Sequence, residues 1–497
     1  MGVVKLKMKA IIIGSGVAGL ATAIRLKNLG FDVHVFEANP YPGGKLSEFS
    51  LGGYRFDAGP SLFTLPYLVD DLFKLTGRNP NQYFSYLQME VCCQYFFEDG
   101  TQLSAYANRD RLLNEIREKL GVPVAVVNSY LEKSKETYES AGKIFLENSL
   151  HKLRTWLSWP VVKALGKIHR YGIFSTMNKT NEERLRHPKL VQLFNRYATY
   201  NGSDPYQAPG ILTSIPHLEF SIGTYLPKGG MHDITLALYR LAVDSGVKFT
   251  FNTLIKQINT ARGVVLGVET ANQKVHADIV VSNMDAFYTY RKLMPNVPAP
   301  ERILRQQRSS SALIFYWGMA KSFPRLDLHN IFFSSDYRKE FDHIFNQKTV
   351  YDDPTVYINI TSKYVPHDAP DGKENWFVMV NVPANEQQDW DQIISDTRKH
   401  VIAKLSRCLK TDIAPLIEVE QILDPRTIDT KTFSYQGSLY GTSSNNPFAA
   451  FLRHKNFSSQ FGNLFFCGGS VHPGGGIPLC LLSGKIVSEL IARKFKP

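Results

Sequence analysis

The chain has 497 residues, enough for about two to four domains and a sizeable buried core at roughly 150 residues per domain. Hydrophobic residues at 43%, charged residues at 21% and the lack of any biased tract exclude a disordered or fibrous chain. The longest apolar runs, such as residues 10–13, fall far short of the ~20 residues that cross a bilayer. The formal charge of +12 favours an anionic partner without choosing among nucleic acid, lipid headgroups and acidic substrates. Five cysteines (Cys92, Cys93, Cys408, Cys467, Cys480) without metal-ligand spacing predict packing roles in a reduced, cytosolic protein. The opening MGVVKLK lacks the apolar length and cleavage site of a secretory signal; Met8 is the more natural start, with residues 1–7 an extension.

Residues 9–13 are apolar and β-branched, Gly14-Ser15-Gly16-Val17-Ala18-Gly19 follows, and LATAIRLKNLG has helical spacing before the alternating DVHVF and Glu37. Glycines between a strand and a helix, with an acid closing the next strand 18 positions after Gly19, form a dinucleotide-binding unit. Gly14 permits the turn, Gly16 lets backbone amides approach a pyrophosphate, and Gly19 lets the helix lie close. Glu37 is placed to accept from an adenosine ribose, which argues against a ribose 2′-phosphate. Next come Gly43-Gly44-Lys45 and Phe56-Asp57-Ala58-Gly59-Pro60, which a simple nicotinamide dehydrogenase has no need of; an ordinary loop is the plainer reading of the glycine pair alone.

Residues 76–225 read as mostly helical. Between Asn148 and Asn181 there is no acid, while Lys152, Arg154, Lys163, Lys167, Arg170 and Lys179 are interleaved with Leu153, Trp156, Leu157, Trp159, Val161, Val162, Leu165 and Ile168. Such a stretch suits an interfacial anchor, each basic residue contributing about 1 kcal/mol near an anionic surface; the competing reading is a core-facing helix pair with a solvated basic face. No nucleic-acid module accompanies it. Residues 225–231, YLPKGGM, introduce a helix through Val243 and then strands at KFTFN, VVLGVET and HADIVVSN, where Ile255 and Asn283 lie close by. Lys228 and His232 are tempting catalytic candidates, with shaping the turn as their plainer role. Alternating stretches between 289 and 429 suit a sheet flooring a long apolar cavity. Finally, residues 463–478, NLFFCGGSVHPGGGIP, read as strand, glycine turn and helix, with free amides for a polarised ring. His472 lies within this turn.

These motifs together resemble the amine oxidase and phytoene desaturase superfamily, and most of all its bacterial carotenoid 3,4-desaturases, over nearly the whole chain. The resemblance implies an α/β fold: a Rossmann-like FAD-binding domain from residues 8–75, 226–288 and 430–497, with a mixed sheet and helical substrate domain from 76–225 and 289–429. It implies FAD as cofactor and a binding set of Gly14, Gly16, Val17, Ala18, Gly19, Glu37, Ala38, Gly43, Gly44, Lys45, Gly59, Pro60, Ile255, Gly469, Gly476 and Ile477. No metal site is expected, and no catalytic side chain is assigned.

The implied reaction is introduction of a C=C bond by hydride transfer to flavin, at the acyclic end of a monocyclic or 1-hydroxy carotenoid. Desaturation of phytoene or diapophytoene and oxidation of a terminal methyl group are the alternatives. A non-catalytic prenyl-lipid carrier, similar to GDP-dissociation inhibitors, is the reading from another class. With one dinucleotide fingerprint and no second for NAD, electrons are expected to leave flavin for oxygen or a quinone. The expected location is cytoplasmic and peripheral to the membrane through residues 148–181, and no nucleic-acid partner is expected.

Overall fold

A computed structural model describes residues 7–159, 171–446 and 453–495, together with 161, 163 and 166. Of the expected N-terminal extension, residues 1–6 lie outside them. Ala10, Ile11 and Ile12 are completely buried, as an apolar run covered on both faces of a parallel sheet must be. Their strand, Lys9–Ile13, is the centre of a five-stranded parallel sheet, flanked on one side by Asp32–Phe36 and Lys248–Thr250 and on the other by Ile279–Ser282 and Leu464–Phe466. Strand order reverses at Lys9–Ile13, so a crevice opens beyond its carboxyl end, where open α/β sheets bind ligands.

Helices Val17–Asn28, His232–Asp244 and Ile477–Lys494 cover one face of this sheet. The three-stranded meander 257–276 covers the other, through Ile258, Val265 and Val268. The first and last helices pack closely, since a Cβ on Gly484 would stand 3.1 Å from Ala18 O and Ala21 Cβ.

A second sheet of seven strands carries the remaining core. Its order is Ile417–Leu423, Ser311–Met319, Glu374–Val382, Val356–Asn359, His329–Phe332, Val91–Phe96 and Gln102–Tyr106, antiparallel except where His329–Phe332 meets Val91–Phe96. The last two strands form a hairpin inside the stretch read as mostly helical. Its side chains Cys92, Tyr95 and Leu103 are buried against Leu112, Ile116 and Phe333, so tertiary packing decides its structure. Period-2 alternation divides the long strands between two faces. Leu313, Phe315, Trp317, Trp376, Val378 and Val380 pack beneath helix Trp390–Leu409 with Trp390, Val401 and Leu405. Ala312, Ile314, Tyr316, Phe377 and Met379 face the opposite way, toward the carboxyl ends of the first sheet.

A cavity between the nucleotide loops and the second sheet

A single cavity of about 660 Å³ joins the two sheets. On the nucleotide side, Gly14 adopts φ +92° and donates its N–H to Phe36 O at 2.7 Å, closing the turn between the first two strands. Helix Val17–Asn28 starts at Gly16 with no side-chain cap and no acid in its first turn, so its leading amides are uncommitted where Gly16, Val17 and Ala18 face the cavity. An uncapped helix start on a cavity wall fits a pyrophosphate. A Cβ on Gly16 would meet Asn283 Nδ2 at 2.7 Å, and one on Gly19 would meet Gly14 O at 2.3 Å. Gly19 thereby lets the helix pack closely against the turn.

Glu37 and Ala38 line the cavity beyond this turn. The Glu37 carboxylate accepts from Ser15 N and Ser15 Oγ, each at 2.7 Å, and from Asn39 N at 2.9 Å. Three of its roughly four acceptor positions are therefore taken by its own chain, leaving one toward a ribose. Gly43 donates to Ser15 O at 3.0 Å, and Gly44 stands against Gly16. Lys45 Nζ donates to Ser438 O and Leu439 O at 3.1 and 3.0 Å, tying this loop to the C-terminal segment. A Cβ on Gly59 would overlap Lys45 O, so the Gly59-Pro60 turn is pressed onto the same loop. Ile255, Gly469, Gly476 and Ile477 complete the wall. Gly476, at φ +102° with open space where a Cβ would stand, begins helix Ile477–Lys494, which again has neither a side-chain cap nor an acid in its first turn. Segments some 460 residues apart in the chain thus present two uncapped helix starts to one cavity, an arrangement that fits a dinucleotide with a polarised ring.

The tempting catalytic candidates lie off the cavity. Lys228 is exposed. His232 is buried with its Nδ1 at 3.6 Å from Glu48 Oε1, and His472 donates from Nε2 to Asn148 O at 2.8 Å.

The opposite wall is a trough that crosses the second sheet. Residues from six adjacent strands line it in order, from Gln421 and Leu423 through Ile314, Met379, Tyr357 and Ile331 to Cys92 and Cys93. At about 4.8 Å per strand, the outer two of these strands stand about 24 Å apart. The wall also carries Ser61, Arg196, Tyr200, Glu219 and His329, none of which belongs to a recognisable motif. They are separated by up to 268 positions, and only the fold brings them together.

The basic segment divides in two ways. Trp156 turns inward, donating from Nε1 to Leu150 O at 2.7 Å, and Lys152 Nζ sits 3.9 Å over the Phe457 ring. Leu157, Trp159 and Phe174 are instead 73%, 77% and 86% exposed. Val162, Leu165, Lys167, Ile168 and Arg170 lie outside the described residues. Among the described residues, no helix is long and apolar enough to cross a membrane.

The sequence matches the family of flavin-containing amine oxidoreductases over residues 17–492. The chain belongs to that family. This FAD-dependent oxidoreductase is 53% identical to a 1-hydroxycarotenoid 3,4-desaturase of a Flavobacterium species, over 97% of this chain and 99% of that protein. It is 32% identical to a 4,4'-diapolycopene oxygenase of a Methylomonas species, over 97% and 98% of the two chains. A putrescine oxidase variant shares its fold with a TM-score of 0.65 at 13% identity, over 98% of this chain and all of that one.

Three histidines beside the C-terminal glycine turn, His454 and His472 buried and His151 partly so, are expected to make the flavoprotein sensitive to acid. Burial pushes His151, His454 and His472 down to about 4, against about 6.5 for a free histidine. The unfolded chain therefore binds more protons between those values, and stability falls as pH drops from about 6.5 toward 4. The thermal midpoint is expected to level off above about pH 7 and to drop steadily below it. His472→Gln, which keeps a donor for Asn148 O but does not titrate, is expected to flatten that drop in a melting series across pH.

Proposed function

We propose that this oxidoreductase is a carotenoid desaturase that introduces a C=C bond at the 3,4 position of an acyclic end, in a monocyclic or 1-hydroxy carotenoid. The observation that carries this reading is the apolar trough, which crosses six strands and runs beneath the loops that would hold the cofactor. In this reading residues 8–75, 226–288 and 430–497 form the FAD-binding domain, and 76–225 with 289–429 hold the substrate. FAD would be held by Gly14, Gly16, Val17, Ala18, Glu37, Ala38, Gly43, Gly44, Lys45, Gly59, Pro60, Ile255, Gly469, Gly476 and Ile477, with Gly19 as helix packing. Bound FAD would supply the acceptor for a hydride leaving an allylic C–H, and loss of a proton from the neighbouring carbon to a base or water then completes the C=C bond.

The chain itself supplies placement. Ile314, Tyr316, Phe377 and Met379 form a wall along which an extended polyene lies, and they exclude the water that would capture a carbocation. Few acid or base groups are needed when orientation is the main contribution. Oxidation of a terminal methyl group is the second reading, favoured by the oxygenase among the relatives. The two uncapped helix starts weigh against a non-catalytic carrier, which has no use for them.

Incubation with FAD and liposomes bearing 1-hydroxy-γ-carotene, γ-carotene, lycopene or phytoene is expected to yield a product two hydrogens lighter, with a longer chromophore, from the hydroxylated monocyclic substrate. A product heavier by oxygen would support methyl oxidation instead, and no product from any of the four would sink the desaturase reading.

The exposed Leu157, Trp159 and Phe174, among basic residues, support peripheral contact with a membrane, from which a water-insoluble polyene is drawn and through which a quinone, or else oxygen, takes the electrons away. Trp159→Glu combined with Phe174→Glu is expected to lower co-sedimentation with anionic liposomes about fivefold or more without loss of FAD. Unchanged sedimentation would remove this stretch as the contact.

A further inference from the structure

A cluster of largely buried, mutually bonded polar side chains interrupts the lining of the trough. Arg196 Nη2 donates to Tyr95 Oη at 2.8 Å and to the two Glu219 carboxylate oxygens at 3.3 and 3.4 Å, while the Tyr200 hydroxyl donates to Glu219 Oε2. Beside them, Tyr357 Oη lies 2.7 Å from His329 Nδ1 and 2.9 Å from Ser61 Oγ. Asn359 Nδ2 donates to the same His329 Nδ1 at 3.2 Å. Nδ1 is therefore an acceptor, which puts the hydrogen of the neutral ring on Nε2. Burial, reinforced by the Arg196 charge, keeps this ring neutral by pushing it down to about 3.

His329 is 3% exposed, yet its Nε2 has no partner among the described residues. Buried donors are ordinarily paired, and His329 is one of the residues that line the cavity. Glu219 Oε1 receives only the 3.4 Å contact from Arg196 and keeps accepting capacity. A donor and an acceptor on one wall match a hydroxyl, which accepts one hydrogen bond and gives another. Arg196 is matched by Glu219, so the pocket suits a neutral alcohol over a carboxylate.

We propose that His329 and Glu219 bind the terminal hydroxyl of the carotenoid, and by doing so set which carbon pair faces the flavin loops. The proposal rests on the desaturase reading and names the group that fixes the register of its substrate. Its geometry is constrained by chemistry. Carbon 1, which carries the hydroxyl, stands two bonds from carbon 3, so a hydroxyl pocket must lie within a few ångströms of the reacting carbons. Ser61, bonded into the cluster through Tyr357, directly follows Gly59 and Pro60 of the cofactor set. The cluster also occupies the closed end of the trough, beside buried Cys92 and Cys93, whereas the far end reaches exposed Lys431. A short hydroxylated tip in the closed end leaves the long remainder of the polyene pointing to the outlet.

The test is the ratio of kcat/KM for 1-hydroxy-γ-carotene to that for γ-carotene, measured in the same liposomes with the FAD-loaded enzyme. A site built to bond a hydroxyl disfavours the analogue that lacks it, so the native ratio is expected to be about ten or more. His329→Leu is expected to bring it close to one, and His329→Gln, which retains an N–H donor, to restore part of it. Tyr357→Phe combined with Asn359→Leu, which removes both donors to Nδ1 and lets the ring hydrogen move, is expected to lower the ratio part-way. It serves as the deciding variant if His329→Leu does not retain FAD. A merely structural loss of activity would lower both substrates alike and leave the ratio unmoved. An unchanged ratio in these variants, or equal native use of the two substrates, overturns the hydroxyl pocket while leaving the desaturase reading intact. No desaturated product from either substrate overturns both.

Discussion

Everything in this fold depends on keeping water out of the seam between two sheets. The parallel sheet ends in glycine turns that offer polar amides, the seven-stranded sheet offers an apolar face, and the cavity lies where these two surfaces meet. Charged cofactor groups and a hydrocarbon have opposite solvation demands, and they share one site only if each touches its own wall. The close backbone contacts at Gly19, Gly43 and Gly59 hold the polar wall together, while the strand alternation at Ile314, Tyr316, Phe377 and Met379 builds the apolar one. Lys45 bridges the loop after the second strand to the residue 438–439 backbone, holding the polar wall in register across nearly the length of the chain.

The parts legible in the sequence are those whose chemistry is local. A glycine turn flanked by a strand and a helix announces itself within about thirty residues, because the φ +92° at Gly14 and the tight approach at Gly19 both demand glycine. The C-terminal cluster ending at Gly476 is legible for the same reason. The hairpin Val91–Tyr106 was hidden in a stretch of helical character, because its strand identity comes from packing on a sheet whose other members lie more than two hundred residues away. Glu37 shows a finer limit: its position closing the second strand is readable, but its three bonds to Ser15 and Asn39 depend on how the turn folds back.

The hydroxyl pocket was illegible for a different reason. Arg196, Glu219, His329 and Tyr357 carry no shared spacing, and each has an innocent role when taken alone. Only their convergence on one wall, with one donor left over, distinguishes them from ordinary buried polar residues. The tempting His472 is the converse case: it stands in the most specific motif of the chain, yet both its burial and its bond to Asn148 O make it part of the scaffold.

The central claim is that electrons pass from the polyene in the trough to a cofactor held by the loops above it. Anaerobic rapid mixing of the FAD-loaded protein with liposomes containing 1-hydroxy-γ-carotene tests it most directly. Bleaching of the flavin absorbance at the same rate as the red shift of the polyene is the predicted result. Formation of the longer chromophore while the flavin stays fully oxidised and oxygen is absent would contradict the account.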